Sequence, residues 1–468
     1  MNAPDQVHEK LDKPAPQKQV IRMYEARQQI YPREAKGRYA SLRWLCVWLT
    51  QIVFYGLPWL MWNERQAVLF DLGTRKFYLF GLVLWPQDFI YLAALLILCA
   101  WGLFLVTAIA GRVWCGFACP QTVYTEIFLW IERHIEGTRS ARMALDRQGP
   151  SLKKTAKKTA KHLAWGVFAL WTGFTFVAYF TPMRELGHSA FKLAFGPWEW
   201  FWVIFYAFAT YGNAGWLREQ VCKYMCPYAR FQSSMFDRDT LIITYDEQRG
   251  EPRSKKASGG SCIDCTMCVQ VCPTGIDIRN GLQYECIGCA ACVDACNVVM
   301  DKINQPRGLI RYSTDRAMAT GMSAQAIRRR AMRPRVLAYC AAMLVVTAAV
   351  GVTLALRTPV KMDVIRDRGS MGREVDGGAI ENVYRLQIMN TSEQAQRYRI
   401  AAAGLPGIAL ATPDTVQLAA TETRAVPVRV QVPHGAGSTG SNKITFTLTA
   451  EDDPAVNVNE KAVFIVPR

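Results

Sequence analysis

Hydrophobic residues follow two different rhythms along this chain of 468 residues. Up to about residue 357 they come in long blocks, and beyond it they alternate with polar ones. Five blocks are long enough to cross a bilayer, which takes about 20 helical residues. They lie near 43–62, 89–111, 163–180, 198–216 and 336–356. The second, FIYLAALLILCAWGLFLVTAIAG, and the fifth suit lipid throughout. The first and fourth are rich in Trp, Tyr and Phe, which favour membrane interfaces, and the third is the shortest.

The alternating region starts at about residue 363. Tyr384, Leu386 and Ile388 are interleaved with Arg385 and Gln387. The pattern recurs at Val426, Val428, Val430 and Val432, and at Ile444, Phe446 and Leu448. A period of two marks strands with one buried face. About seven short strands separated by Gly and Pro turns predict a β-sandwich of immunoglobulin-like architecture over 358–468. It has no cysteine pair between sheets, and His434, alone in a Pro-His-Gly turn, reads as a solvated loop residue.

Charge orients the blocks. The formal net charge is +17, yet Lys and Arg gather beside apolar blocks, as topology signals do, rather than forming a nucleic-acid surface. Lys153, Lys154, Lys157, Lys158 and Lys161 precede the third block, and Arg328, Arg329, Arg330, Arg333 and Arg335 precede the fifth. Those flanks are expected in the cytoplasm. The segments 63–88 and 181–197 carry fewer cations and are expected as outer loops. Residues 1–42 are polar, basic and Pro-containing, without the early apolar core of a signal peptide, so the N-terminus is expected to stay inside. Five crossings then place residues after 357 in the periplasm of a bacterium. The resulting division is a cytoplasmic segment 1–42, membrane helices within 43–235, a cytoplasmic module at 236–327, a fifth membrane helix within 328–357 and the periplasmic sandwich. DEQRGEPRSKKASGG (246–260) reads as a flexible linker.

The chemistry is carried by cysteine. Of 15 cysteines, eight form two C-x2-C-x2-C-x3-C runs: Cys262, Cys265, Cys268 and Cys272, then Cys286, Cys289, Cys292 and Cys296. This spacing is that of a bacterial-type ferredoxin with two [4Fe-4S] clusters, in which the fourth cysteine of each run ligates the other cluster. Cluster one is therefore assigned to Cys262, Cys265, Cys268 and Cys296, and cluster two to Cys286, Cys289, Cys292 and Cys272. Structural zinc fits two complete runs poorly. Asn297 stands where Pro usually follows the second run, which predicts a local change in backbone or cluster potential without loss of a ligand.

A second constellation occurs twice in equivalent places: Cys115-Gly-Phe-Ala-Cys119-Pro120 after the second block and Cys222-Lys-Tyr-Met-Cys226-Pro227 after the fourth. On a helix, residues i and i+4 share a face, so each pair could present two sulfurs near the cytoplasmic surface. Four converging thiols suit Cu(I), zinc or another thiophilic centre, or cycling between dithiol and disulfide, with Met225 as a further soft ligand. The plainer reading is packing as small apolar residues. Cys46, Cys99 and Cys340 are expected to pack inside apolar helices. The histidines are badly placed for haem b, and no Gly-rich nucleotide loop is present.

GRVWCGFACPQTVYTE, VCKYMCPYARFQ, the double ferredoxin run and the C-terminal sandwich together resemble the FixG, RdxA and CcoG family, membrane ferredoxins described as cytochrome c oxidase accessory proteins. The resemblance covers nearly the whole chain. It implies an oxidoreductase that converts Cu(II) to Cu(I) for assembly of a cbb3-type oxidase in the bacterial inner membrane. Cys115, Cys119, Cys222 and Cys226 would handle copper, and the eight ferredoxin cysteines would conduct electrons. Implied partners are membrane lipid, copper ions, copper-transport or oxidase-assembly proteins, an unidentified electron donor and, in an open question of stoichiometry, further copies of the chain; nucleic acid is not among them. Two other functions compete: quinol dehydrogenation feeding a periplasmic reductase, and a non-catalytic assembly scaffold.

Overall fold

Long apolar blocks become helices because only a helix satisfies every backbone N–H and C=O within its own segment in lipid. The computed structural model describes residues 29–254, 259–367, 372–375 and 377–467; residues 1–28 of the expected cytoplasmic segment and 255–258 of the expected linker lie outside this range. The helices are α1 (Arg38–Gly56), α2 (Phe89–Ala110), α3 (Val113–Phe117), α4 (Pro120–Glu136), α5 (Arg139–Arg147), α6 (Leu152–Val177), α7 (Met183–Phe191), α8 (Pro197–Thr210) and α9 (Pro227–Met235). After these come α10 (Glu247–Gly250), α11 (Met267–Gln270), α12 (Ala291–Lys302), α13 (Asp315–Thr320), α14 (Ala324–Ala331) and α15 (Pro334–Ala355).

Among the described residues, three helical spans are long and apolar enough to cross a membrane: Arg38–Trp59, Pro86–Ala110 and Pro334–Ala355. The third and fourth blocks fold differently from expectation. α6 starts 11 residues before residue 163, in the lysine-rich stretch, so its first turns are cationic. α8 has 14 residues and passes into a π-helix, Tyr211–Leu217. α6 packs along α8, and α15 along α2. Gly173 allows the close approach: a Cβ there would lie 2.3 Å from the carbonyl oxygen of Val203. Cys99, expected to pack inside, is exposed on α2, while Cys46 and Cys340 are half-buried.

The expected outer loops also have structure. Residues 61–84 form a hairpin of β1 (Met61–Trp62) and β2 (Arg65–Gln66), and a sheet of β3 (Val68–Asp71), β4 (Lys76–Leu79) and β5 (Leu82–Leu84). Residues 183–191 form α7. β6 (Ile242–Tyr245) pairs antiparallel with β7 (Ile310–Ser313) and closes the cysteine-rich module. The linker expectation fails for its described part. Asp246 caps α10 through Arg249 N and holds Arg311 at 2.9 Å, and Cys262 N donates to Gly250 O, so 246–254 folds onto the module.

Among the described residues the sandwich has nine strands, against about seven expected: β8 (Val360–Arg366), β9 (Arg373–Val375), β10 (Ala379–Asn390), β11 (Gln396–Ala403), β12 (Ala409–Leu410), β13 (Thr415–Leu418), β14 (Thr423–Val432), β15 (Gly440–Ala450) and β16 (Asn457–Val466). One sheet runs β12-β14-β10-β8 with β9 also on β10; the other runs β13-β11-β15-β16. The alternating residues named from the sequence face inward: Tyr384, Leu386, Ile388, Val428, Phe446 and Leu448 are fully buried. Tyr384 meets the edge of Phe446 at 5.0 Å and donates to Val463 O.

The sandwich is joined to the helices through the small sheet. Val83 and Trp85 pack with Met389, and Arg65 pairs with Glu393 at 2.5 Å. Asp88, only 5% exposed, accepts from Trp85 N, pairs with Arg357 at 2.7 Å and also contacts Lys361. One carboxylate thus ties the start of α2 to the end of α15 and the first sandwich strand. Removing one member of a buried ion cluster strands the remaining charges, at about 3–5 kcal/mol. Asp88→Asn should therefore lower the first thermal unfolding transition of the detergent-solubilised chain, whereas Asp363→Asn, at an exposed hydrogen bond to Gln87, should leave it unchanged.

Candidate functional site

The two ferredoxin runs fold as near copies. The residue before the second cysteine has a positive φ in both, Asp264 at 50° and Gly288 at 66°, and so does the residue after it, Thr266 at 56° and Ala290 at 59°. These left-handed turns curl the backbone around a small volume, and α11 or α12 follows at once. The first chamber is lined by Cys262, Cys265, Cys268 and Cys296; the second by Cys272, Cys286, Cys289 and Cys292, with Cys268 at its border. Each fourth cysteine thus sits in the chamber of the other run.

This donor set fits two cubane clusters. A cubane takes one thiolate at each of four irons, so its ligands stand apart; among the described residues no three His, Cys, Asp or Glu side chains close on one point as a single-ion site requires. The chamber walls are mainly apolar, including Ile243, Ile276, Ile278, Leu309 and Ile310, with Arg279 and Thr266 beside the first chamber and Thr274 beside the second. Burial pushes the thiols up, Cys268 to about 11 and Cys286 and Cys296 to about 12, so ligation must displace their protons. The chambers differ in access, because Cys265 is exposed while Cys289 is buried.

Asn297 has a local explanation. Pro273 ends the first run after the four-residue α11, whereas Asn297 lies within α12, which runs 12 residues. Its side chain accepts from Gly308 N at 3.0 Å and so holds the return strand toward β7.

The C-x3-C-P segments do not form the continuous helices expected of them. A residue before proline is driven out of the helical region, and Cys119 and Cys226 accordingly have extended backbones at the N-caps of α4 and α9, with Pro120 and Pro227 as first helical residues. Cys115 lies on α3, and Cys222 on a π-wound turn, Val221–Met225. Each pair therefore spans a helix break. Cys115 and Cys222 pack with Val271, Ile287, Cys289, Ala291 and Cys292 of the ferredoxin module, half-buried. Cys115 and Cys222 thus lie against the module, while among the described residues no three thiols close on a single point. Met225 is 58% exposed and does not join them.

Contact with the second chamber is between backbones. A Cβ on Gly116 would lie 2.8 Å from Cys289 Cα, Cys289 N and Ile287 O, and one on Gly288 would lie 3.0 Å from the Arg112 carbonyl carbon. Burial, and next to it the thiolates of Cys119, Cys115 and Cys226, push Cys222 up to about 12. Burial pushes Cys115 up to about 11 against the opposing hydrogen bond from Gln232.

Sequence reasoning missed several residues here. Gln232, fully buried, donates from Nε2 to Cys115 Sγ at 3.3 Å. Arg112 is buried and donates to Ala229 O at 2.6 Å and to Tyr284 O, pinning α9 and the module to the end of α2. Beside a long apolar block, such a cation looks like a topology charge. Asp294 is buried within α12 and accepts from Ala40 N at 2.7 Å and Tyr39 N at 3.3 Å, capping the first turn of α1. Gly37 is needed there, because a Cβ would strike the Asp294 carboxyl.

The same domains occur in known proteins. Residues 217–315 match the 4Fe-4S dicluster domain, 92–137 a 4Fe-4S binding domain, and 350–467 the IG-like fold at the C-terminus of FixG. The chain is 37% identical to the nitrogen fixation protein FixG of Rhizobium meliloti, over 92% of this chain and 91% of that one. It belongs to the FixG family. The protein RdxB of Cereibacter sphaeroides is 38% identical over 94% of this chain and 96% of its own. The ferredoxin-type protein NapH of Haemophilus influenzae is 23% identical over 37% of this chain and 52% of its own. A crystal structure of a FixG-related protein from Vibrio parahaemolyticus aligns with 23% of the chain and 97% of its own at 26% identity, with a TM-score of 0.22. As a FixG-family member, the chain is an iron–sulfur electron-transfer protein.

Proposed function

We propose that this FixG-family chain is a cupric reductase of the bacterial inner membrane, supplying Cu(I) for assembly of a cbb3-type oxidase, with copper-transport or assembly proteins as recipients. The eight ferredoxin cysteines hold two [4Fe-4S] clusters as assigned, and these supply one-electron steps when bound. One observation carries the reading: Cys115 and Cys222 pack against Cys289 and Cys292 of the second chamber, while the first chamber reaches solvent at Cys265. The order from solvent to thiol site suits an electron path toward that site.

Copper is the substrate. Cu(II) gains one electron to become Cu(I), the state that soft thiolates prefer. Cys115, Cys119, Cys222 and Cys226 hold it, losing protons as they do so, and Gln232 orients Cys115. Two thiolates suffice for Cu(I), so the absence of a three-donor shell among the described residues is compatible with a copper ion in transit.

The topology belongs to the same proposal. α6 and α8 join the three apolar spans to make five crossings, because Leu163, Val167, Leu170, Ile204 and Phe208 all face outward, each more than half exposed. The clusters and thiols are cytoplasmic and the sandwich periplasmic.

The test is anaerobic. The purified chain is reduced with dithionite, freed of excess reductant, and mixed with Cu(II) and a Cu(I)-specific chelator. Cluster bleaching should reverse as Cu(I) forms in stoichiometric amount, and Cys115→Ser with Cys226→Ser should slow this with iron content unchanged. Reoxidation by a quinone analogue and not by copper would replace this reading with a quinol relay. Unimpaired assembly in cells after loss of both clusters would leave the scaffold reading.

A further inference from the structure

A groove of about 1090 Å³ separates the ferredoxin module from α4 and α5. Six Lys and Arg side chains line it against one carboxylate, Glu34. Three of the six already serve the fold: Arg133 pairs with Glu126, Arg142 pairs with Glu132, and Arg139 donates to Tyr31 O. Arg33, Lys36 and Lys302 are exposed and, among the described residues, have no carboxylate partner. The floor between them is apolar, formed by Met267, Val298 and Val299 from α11 and α12. α11 carries Cys268, α12 carries Cys292 and Cys296, and Met267 and Val299 line both the groove and the first chamber, so the groove floor is a wall of that chamber.

We infer that this groove docks a small acidic one-electron carrier protein that reduces the module. An apolar floor with a charged rim is the anatomy of a protein interface, and unpaired rim cations favour an anionic face and speed its encounter. The first 28 residues of the chain do not complement the groove, since they carry five basic against four acidic side chains. A nicotinamide donor is disfavoured by chemistry, because it delivers a hydride, two electrons at once, whereas each cluster accepts one electron at a time. In the proposed step the reduced carrier loses one electron and the module gains it, with no bond or proton moved. The inference rests on the iron–sulfur assignment and is independent of the copper reading.

The experiment uses the full chain in neutral-lipid nanodiscs, with an acidic [2Fe-2S] ferredoxin as the probe. Binding and the rate of module reduction by the reduced probe are compared for the wild type and for Lys36→Glu with Lys302→Glu. Binding should weaken about tenfold or more, and so should the rate, while reduction by dithionite and iron content stay unchanged. Wild-type binding should also fall as salt rises, since such attraction is screened; this measurement stands even if the variant misfolds. Equal probe binding by wild type and variant, or salt-independent wild-type binding, overturns the proposal. So does a variant that loses only its preference for anionic-lipid nanodiscs, which would make the groove a headgroup site.

Discussion

Cys272→Ala should remove the same cluster as Cys289→Ala, and Cys296→Ala the same cluster as Cys262→Ala, although in each case the two residues belong to different runs. The chambers give the reason: Cys272 lines the one with Cys286, Cys289 and Cys292, and Cys296 the one with Cys262, Cys265 and Cys268. Each alanine variant would leave its chamber with three of the four thiolates that a cubane requires. Low-temperature electron paramagnetic resonance of the reduced variants checks this, since each should show one isolated cluster in place of the coupled pair. Matching spectra within each run, rather than across runs, would refute the crossed assignment.

The second large effect is expected at Gly116. An alanine there puts a methyl group 2.8 Å from two backbone atoms of Cys289 and from Ile287 O, and backbone cannot swing aside as a side-chain tip can. Overpacking of this kind costs about 1–3 kcal/mol, or about one to two orders of magnitude in an equilibrium between seated and separated thiol segments. Gly116→Ala should slow Cu(II) reduction by about that factor while both clusters still reduce with dithionite. Gly166→Ala is the control, because a Cβ on Gly166 meets nothing within 4 Å. Equal rates for the two variants would show that the contact with Cys289 has no part in electron transfer.

The ferredoxin module and the sandwich were legible in the sequence for physical reasons. Cysteine spacing encodes the cluster directly, and Tyr384, Leu386 and Ile388 alternate because one sheet face is buried. The thiol segments were half legible. Repetition of C-x3-C-P marked them, and helical periodicity suggested a shared face, but proline at 120 and 227 overrode it by extending Cys119 and Cys226. The small sheet at 61–84 was hidden because its strands are only two to four residues long and only partly buried, too short for a period to register. Gln232, Arg112 and Asp294 act through partners far along the chain: Gln232 and Cys115 are 117 residues apart, and no local pattern announces such a pair.

Asp294 also bears on how the protein is built. The carboxylate that caps α1 is synthesised 254 residues after the Ala40 amide it receives, and chains emerge N-terminus first. The first helix must therefore begin life with its leading amides open to water, and it gains its cap only after every later helix but α13, α14 and α15 has been made. Asp294 lies on α12 between Cys292 and Cys296, so the cap joins the first helix to the helix that carries two of the cluster cysteines. The first helix is thus completed by the metal-binding module, from residues made late in synthesis of the chain.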